Sequence, residues 1–239
     1  MSDQIEINNR EDSQLQIRQG TIADIPFLAK IVYDASLPPL NRSFWDEPLK
    51  GTKTNSLEFI AAMFEADAHS WGKLDDFFIL EEKGESVAAA SGFTPYSQDY
   101  RPFCLSRLGE TAKILDWSTQ MAEEFSLGYE QLWGHDNQPD FLKPQASWII
   151  EQVGVIPKAR GRGFGKILLR KILAAGQQKQ HSHAGISVIH GNDIARHTYE
   201  SLGFKPYKSF YGAYFNELSP NAPYFNEEFA VTKFILPLN

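Results

Sequence analysis

Cysteine is almost absent from this sequence, since Cys104 is the single one among 239 residues. An internal disulfide and a cysteine-rich metal site are therefore excluded. The histidines do not take the place of the cysteines, because His181 and His183 stand in a polar segment with no carboxylate at metal-ligand spacing. We predict no metal site, and Cys104 lies in no motif that suggests a covalent enzyme intermediate.

Long apolar runs are also missing. No stretch reaches the roughly 20 apolar residues of a membrane-spanning helix, and residues 1–14 are polar, without the apolar core of a signal peptide. We expect a cytoplasmic protein in which residues 1–14 form a disordered arm that is too polar to pack. Strands and helices then mix without a clean linker, so we predict a single domain over residues 15–239.

Positively charged residues are fewer than negatively charged ones. The sequence has 23 Lys and Arg against 30 Asp and Glu, and its formal net charge is -7. Such a surface repels phosphate, which argues against a nucleic acid or an anionic membrane as partner. A cationic partner fits this charge better.

Three common catalytic or nucleotide-binding motifs fail as well. No Gly-x-Ser-x-Gly elbow of a serine hydrolase is present. A P-loop would need a glycine at Arg160 and a serine or threonine at Ile167. A dinucleotide-binding pattern would need its third glycine at Lys166. An NTPase therefore has little support.

The most informative stretch is a basic, glycine-rich turn at residues 160–166, RGRGFGK. It follows a predicted strand at Trp148–Val155, which Pro157 ends, and it opens a predicted helix at Gly163–Gln178. Its glycines let the backbone approach a ligand closely, and the free amides at a helix start attract phosphate. The turn therefore predicts a pyrophosphate site, while a basic surface turn that only caps the helix is the alternative.

The other elements follow from hydrophobic periodicity and turn residues. The further predicted strands are Leu15–Arg18, Phe77–Glu82, Ser86–Phe93, Gly185–His190, Lys205–Phe215 and Phe229–Leu236. The further predicted helices are Thr21–Asp34, Leu57–Ala66, Gly109–Ser126 and Asp193–Leu202. Residues 96–145 contain few clear signals and are interpreted as an insertion into an α+β domain.

Two motifs in this order resemble the GNAT superfamily of acyl-CoA-dependent N-acetyltransferases. Residues 160–165, RGRGFG, are similar to its pyrophosphate signature, Arg/Gln-x-x-Gly-x-Gly/Ala, and residues 153–157, VGVIP, look like its fourth strand and the exit from it. Residues 192–204, NDIARHTYESLGF, match its other signature, with asparagine, alanine, tyrosine and Gly-Phe at the expected spacing. The resemblance is strong over about residues 146–205.

This resemblance implies a fold and a co-substrate. The fold would have a mixed, mostly antiparallel central sheet that is flanked by helices and splayed between strands four and five. The pantetheine arm of acetyl-CoA would enter the splay, and the pyrophosphate would lie on the turn. The positions that the resemblance assigns to acetyl-CoA are Val153, Gly154, Val155, Arg160, Gly161, Arg162, Gly163, Phe164, Gly165, Lys166, Asn192 and Ala195.

Two side chains are candidates for the chemistry, which needs a neutral amine and a proton donor for the leaving sulfur. The resemblance places Tyr199 near the thioester sulfur, although its helical stripe also fits a core residue. Glu151 is the one charged residue in an apolar strand, so it is either a general base acting through water or a carboxylate that faces solvent or pairs with a cation. Asn192 fits both the cofactor and the N-cap of its helix.

The resemblance implies direct transfer from acetyl-CoA to a primary amine in a ternary complex. We expect the acceptor side to be built from Leu37–Ser56, the 96–145 insertion and the aromatic residues Tyr211, Tyr214 and Phe215. Net charge favours a cationic small-molecule or peptide amine, and His190 could face the reaction centre. The sequence leaves a homodimer open, and the alternative function is an acyl-CoA sensor of the same fold without turnover.

Overall fold

The computed structural model describes residues 15–96, 98–220, 222, 224–225 and 228–238. The predicted disordered arm, residues 1–14, lies outside the described residues. The strands are β1 (Leu15–Gln19), β2 (Phe77–Glu82), β3 (Glu85–Phe93), β4 (Trp148–Val155), β5 (His183–Ile189), β6 (Lys205–Phe210) and β7 (Val231–Pro237). The α-helices are α1 (Ile25–Ser36), α2 (Ser56–Glu65), α3 (Leu108–Ile114), α4 (Thr119–Trp133), α5 (Phe164–Gln178), α6 (Asp193–Ser201) and α7 (Gly212–Leu218).

The strands form one sheet in the order β1-β2-β3-β4-β5-β7-β6. Every neighbouring pair is antiparallel except β4 and β5, which are parallel. β4 and β5 pair only where they begin, at Trp148↔Ala184 and Ile149↔Gly185, and then diverge. The expected mixed, mostly antiparallel sheet, splayed between its fourth and fifth strands, is confirmed. The gap between the two strands is called the wedge below.

A bulge in β4 accompanies this divergence. Ser91 of β3 pairs with Glu151, but Ala89 pairs with Gly154, so β4 has one residue more than β3 over this stretch. Gln152 takes up the extra length with a left-handed φ of 56°, which is uncommon for a residue that is not glycine. A bulge bends and twists its strand. β4 therefore turns away from β5 just after their last pair.

The two faces of the sheet carry separate cores. α1, α2 and α4 contribute to the first core cluster, which is rich in aromatic rings. α5 and α6 contribute to the second, which includes Trp148, Ile150 and Phe234. A Cβ at Gly92 of β3 would lie 2.4 Å from a methyl group of Ile172, so glycine there lets α5 pack close to the sheet. The N-terminus of α5 is thereby held at the end of β4.

The predicted helix at Gly109–Ser126 is wrong, because the structure has two helices, α3 and α4, at this place. Asp116 between them has a φ of 53°, and the side chain of Ser118 caps α4. Trp117 turns inward, donates from Nε1 to Thr54 Oγ1 at 2.7 Å and stacks on Phe59. Burying this indole outweighs continuing the helix.

The predicted strand at Lys205–Phe215 is also wrong in its second half. β6 ends at Phe210, and α7 begins at Gly212. The helix directs Phe215 into the first core, where its ring lies 4.6 Å from that of Phe229. Alternation of apolar residues could not distinguish this short helix from a strand, since both patterns place Phe215 inside.

The 96–145 segment packs against the first core rather than standing apart from it. Tyr129 of α4 donates its hydroxyl hydrogen to the carbonyl of Phe103 at 2.9 Å and accepts from the amide of Phe103 at 2.8 Å. A buried ion pair joins Arg101 to Asp99 at 2.8 Å. Arg101 also donates to the carbonyl of Gly134 at 3.1 Å, so these bonds hold the end of α4, where Trp133 lies, against the loop at residues 99–103. Among the described residues, no helix is both long and apolar enough to cross a membrane.

Candidate active site

One cavity of about 720 Å³ runs from the turn at 160–166, through the wedge, to the aromatic side of the sheet. It brings together nearly all of the residues that the sequence analysis singled out. Those that line it are Glu151, Val153, Gly154, Val155, Arg160, Gly161, Gly163, Phe164, Gly165, Lys166, Asn192, Ala195 and Tyr199. Among the positions assigned to acetyl-CoA and to the chemistry, the exception is Arg162.

From Gly161 to Lys166, the backbone amides of the turn form no hydrogen bond with any described residue, whereas the amide of Arg160 donates to the carbonyl of Pro157 at 3.3 Å. Gly161 and Gly163 have φ values of 75° and 80°, which glycine adopts without strain. Ile167 donates its amide to the carbonyl of Gly163 at 3.1 Å, so the amides of the residues before it precede the hydrogen-bond ladder of α5. Together with the positive end of the helix dipole, these amides suit an anion such as a pyrophosphate.

The side chain of Arg162 turns away from the cavity. Its guanidinium pairs with both carboxylate oxygens of Glu82, at 2.7 Å for one of them, and lies 4.5 Å from the ring centre of Phe164. Arg160 donates from Nε to the carbonyl of Val155 at 3.0 Å, and Lys166 lines the cavity. The basic side chains at the turn end of the cavity are therefore those of Arg160 and Lys166, and only the backbone of Arg162 is left for the predicted role.

The edge of β4 that faces the wedge is open. Beyond Ile149 the strand has no β5 partner among the described residues, although Val153, Gly154 and Val155 all lie along the cavity. A strand edge with unpaired N–H and C=O groups can bond an extended chain that bears amides. The wedge thus offers a backbone site that is absent from a regular sheet.

Asn192 and Ala195 lie at the start of α6, on the opposite side of the wedge. Asn192 Oδ1 accepts from the amide of Ala195 at 3.3 Å, so the predicted N-cap is present. Asn192 also lines the cavity. Capping and ligand contact are compatible, and its role toward acetyl-CoA stays a prediction.

Tyr199 reaches the cavity from the second core. It is 6% exposed and packs near Phe204, with ring centres 6.3 Å apart. Burial, and secondarily the charge of Glu151, raises the pKa of its hydroxyl above the ordinary 10. The phenol is therefore protonated at neutral pH, as a proton donor must be. Tyr199 is therefore both a residue of the second core and a residue that lines the cavity.

Glu151 opens onto the same cavity and is otherwise surrounded by protein. Its carboxyl group has no hydrogen bond or ion pair with any described residue. Burial raises its pKa from 4.5 to about 7, and the positive charge of Lys233 opposes this effect. A carboxyl group that titrates near neutral pH can take up a proton in one state and release it in the next.

Lys233 of β7 is the residue that the sequence analysis missed. It lines the cavity, is 3% exposed, and its ammonium group donates to the carbonyl of Lys143. Burial lowers its pKa from 10.5 to about 8, and the charge of Glu151 opposes the shift. The available signal was a lysine in the apolar run Val231–Pro237, the same signal that drew attention to Glu151.

An aromatic chamber forms the far end of the cavity. Its residues are Phe44, Trp71, Trp133, Phe141, Tyr224, Phe225 and Phe229. They come from the predicted Leu37–Ser56 loop, the segment after α2, the 96–145 insertion and the C-terminal segment. The predicted wall of Tyr211, Tyr214 and Phe215 is wrong, because α7 buries Phe215 in the core and Tyr211 is 59% exposed.

The histidines do not enter this cavity. His190 contacts Thr232 Oγ1 through Nε2 at 2.7 Å, and His181 contacts Thr94 Oγ1 at 2.9 Å. Within the described part of the chain, no group of histidine, cysteine, aspartate and glutamate side chains is arranged to hold a metal ion.

Comparison with known proteins identifies the family of this chain. A model of the acetyltransferase (GNAT) family matches residues 40–204, more than half of the chain. No curated protein matches the sequence.

Solved structures share the fold at low sequence identity. yncA from Salmonella typhimurium, described as an acetyltransferase with acetyl-CoA as its cofactor, is 15% identical over 95% of both chains, with a TM-score of 0.51. An N-acetyltransferase from Staphylococcus aureus Mu50 is 14% identical over 95% of this chain and 100% of its own, with a TM-score of 0.53. A ribosomal-protein-alanine N-acetyltransferase from Brucella melitensis is 18% identical over 93% and 99%, with a TM-score of 0.51.

Proposed function

The chain belongs to the acetyltransferase (GNAT) family, and we propose that its cavity holds acetyl-CoA and an amine together, so that the amine attacks the thioester directly. The predicted family, enzyme class and co-substrate are confirmed: the protein is an acyltransferase that moves an acetyl group from acetyl-CoA to an amine. The single observation that carries the proposal is the continuous cavity from the turn at 160–166 to Glu151 and Tyr199.

The residues present fit acetyl-CoA. The amides at the start of α5, with Arg160 and Lys166 beside them, would hold the pyrophosphate. The open edge of β4 at Val153–Val155 would bond the amide groups of the pantetheine arm, which supplies the acetyl thioester when bound. Asn192 would reach the same arm from the other side of the wedge.

Glu151 and Tyr199 approach the wedge from opposite faces of the sheet, which suits opposite proton tasks. Glu151 would take a proton from the ammonium form of the acceptor, directly or through a water molecule, and so free the nitrogen lone pair. The nitrogen–carbon bond then forms as the carbon–sulfur bond breaks. Tyr199 would give its hydroxyl proton to the departing sulfur. The acetylated nitrogen would then lose its second proton, which restores the Tyr199 phenol through solvent and leaves a neutral amide.

The test is release of free CoA thiol across a panel of amines, with wild type, Glu151→Gln and Tyr199→Phe. We expect turnover with at least one amine class and a fall in kcat for both variants, while acetyl-CoA binding, measured by calorimetry, is kept. Binding of acetyl-CoA without turnover of any amine would favour the sensor of the same fold.

Several finer predictions remain to be tested. They are the cationic character of the acceptor, a homodimer, the cytoplasmic location, and the division into an arm at 1–14 and one domain at 15–239 with an insertion at 96–145. A role of the insertion in acceptor binding is supported by four of its aromatic residues that line the cavity, Tyr96, Tyr100, Trp133 and Phe141.

A further inference from the structure

Glu151 and Lys233 lie on either side of the wedge at the same level. The last β4–β5 pair is Ile149↔Gly185, so Glu151 stands level with Ser187 of β5. Ser187 in turn pairs directly with Lys233 of β7. The two charged residues therefore flank the point where the pairing of β4 and β5 is lost.

Both side chains also lie on the same face of the sheet. Ile150 and Phe234 belong to the second core cluster. Successive residues of a strand point to opposite faces, so Glu151 and Lys233 point toward the first core and the aromatic chamber. Both line the cavity there.

The ammonium group of Lys233 is bonded incompletely. It has three donors, and one hydrogen bond, to the carbonyl of Lys143, is present among the described residues. No described carboxylate forms an ion pair with it; the nearby Asp140 pairs with Lys143 at 2.6 Å. Lys208, the other charge near it, is a cation. A buried cation with two free donors in a cavity is costly unless a ligand oxygen completes its bonding.

Glu151 has the opposite charge to Lys233, and its hydrogen bonding is also incomplete. It has no partner among the described residues, and although it influences Lys233 electrostatically, the two form no ion pair. The other titratable group that faces it is Tyr199 of α6. A ligand with an ammonium group and a carboxylate group bonded to the same carbon would give each of the two side chains a partner of opposite charge.

The aromatic chamber determines which kind of side chain the ligand can carry beyond its ammonium and carboxylate groups. Phe44, Trp133 and Phe225 are at most 7% exposed, so a ligand that enters is removed from water. Asp34 and Asp99 also line the cavity, but they pair with Lys30 and Arg101 at 2.9 and 2.8 Å. With its first ammonium at Glu151, a polyamine would find aromatic faces for its second ammonium, but no further carboxylate free of an ion pair among the described residues that line the cavity. An apolar or aromatic body suits these walls.

We propose that the acceptor is an α-amino acid with an aromatic or bulky apolar side chain, held by its carboxylate on Lys233, with its α-amino group at Glu151. This inference rests on the proposed function and narrows the cationic acceptor expected from net charge to a zwitterion. In the reaction, the α-nitrogen forms a bond to the acetyl carbon as the carbon–sulfur bond breaks. The nitrogen loses two protons: one passes to Glu151 before the attack, and the second leaves once the new bond has formed and, through solvent, restores the Tyr199 phenol that has protonated the sulfur. The products are an N-acetyl amino acid and CoA.

The experiment compares kcat/KM for L-phenylalanine and L-leucine with that for phenethylamine and 3-methylbutylamine, the same bodies without a carboxylate, and for spermidine. Because a charge-assisted hydrogen bond is lost, we expect each amine to be poorer than its amino acid by about 10- to 100-fold. Spermidine should be poorer still. An advantage for the amines or for spermidine in wild type would overturn the proposal.

Lys233→Met tests the assigned contact, and its apolar side chain should not prevent folding, which thermal unfolding checks. We expect KM for the amino acids to rise about 10- to 100-fold more than KM for the two amines, because only the amino acids have a carboxylate that loses its contact. The comparison within one variant cancels any general effect of the substitution on Glu151, whose pKa the charge of Lys233 lowers. Lys233→Arg should keep part of the preference for the amino acids. Lys208→Met, an exposed lysine on β6, is the matched control and should leave the preference unchanged.

Other outcomes identify which idea fails. An equal fall in kcat for amino acids and amines in Lys233→Met would mean that the ammonium acts on the thioester, and the carboxylate site would be wrong. If only amines without a carboxylate are acetylated, the inference fails and the proposed function stands. If acetyl-CoA binds but no panel member is acetylated, the proposed function fails and this inference with it.

Discussion

Replacement of Glu151 by glutamine should make the protein more stable at alkaline pH while removing the carboxylate that we propose as the general base. Burial raises the pKa of this carboxyl group to about 7 in the folded protein, against 4.5 for a free side chain. The folded state therefore holds the proton more tightly than the unfolded state. The resulting destabilisation is absent well below pH 4.5, grows as the pH rises, and is complete above pH 7.

The size of the effect follows from this difference in pKa. At about 1.36 kcal/mol for each pH unit, the ionised carboxylate lowers the free energy of unfolding by about 3 kcal/mol. At pH 5 only a small part of this, less than about 1 kcal/mol, is present. Glutamine has nearly the shape of the protonated acid and is never charged, so it should recover most of the difference.

The assay is urea unfolding of wild type and Glu151→Gln at pH 9 and pH 5. At pH 9 the ammonium of Lys233, with a pKa of about 8, is already mostly neutral in the folded state, so the substitution leaves no cation unpaired. We expect a gain of about 2–3 kcal/mol at pH 9 and under about 1 kcal/mol at pH 5. The control Glu65→Gln, at an exposed site on α2, should change neither value by more than about 0.5 kcal/mol.

Equal stability of wild type and Glu151→Gln at pH 9 would refute the reasoning, because it would mean that the carboxylate is solvated in the folded protein. A gain that is the same at both pH values would also refute it, since ionisation would then not be the cause. In thiol-release assays the same variant should lose kcat. Stability and activity would thus change in opposite directions at one residue.

Three further predictions concern the same cavity. In wild type, kcat/KM should fall as the pH drops through about 7, where Glu151 gains a proton; a profile without an acid limb in this range would remove Glu151 as the base. Tyr199→Phe should lower kcat by about 10²- to 10⁴-fold with little change in the Kd of acetyl-CoA; undiminished turnover would leave Tyr199 as a core residue only. Gly163→Ala, at a φ of 80°, should lower the free energy of unfolding by about 1–2 kcal/mol and raise the Kd of acetyl-CoA in calorimetry. The control Gly109→Ala in α3 should raise the free energy of unfolding by about 0.5–1 kcal/mol and leave that Kd unchanged. Equal effects of the two substitutions on the Kd would contradict the role of the turn.

Local sequence patterns predicted the elements that surround the wedge well. The strand at Trp148–Val155 has the predicted bounds, and the hairpin of β2 and β3 differs by one residue. These elements carry strong local signals, such as an apolar run ended by Pro157 or a Lys-Gly turn. Where the local signal was periodic but incomplete, as at 109–126, a tertiary contact of Trp117 decided the outcome.

In the site, too, local patterns predicted some residues and tertiary contacts decided others. The turn at 160–166 and residues 192–204 are contiguous motifs, so their resemblance to the signatures of a known family implied both the family and the co-substrate. Glu151 attracted notice as a charge in an apolar strand, and Lys233 carried the same signal without being recognised. Of the three segments predicted to build the acceptor side, Leu37–Ser56 and 96–145 do line the cavity. Tyr211, Tyr214 and Phe215 do not, since α7 buries Phe215 in the core and Tyr211 lies at the surface.

The sequence by itself determined the glycines, amides and charges of the turn, because short motifs create their geometry from residues that are neighbours in the chain. Only the tertiary structure decided that β7 lies beside β5, that a bulge at Gln152 accompanies the opening of the sheet, and that Glu151 and Lys233 face one cavity. Strand order depends on contacts between residues far apart in the chain, whereas periodicity reports only which face a residue occupies. The pKa values follow the same rule, since burial by distant segments is their main cause.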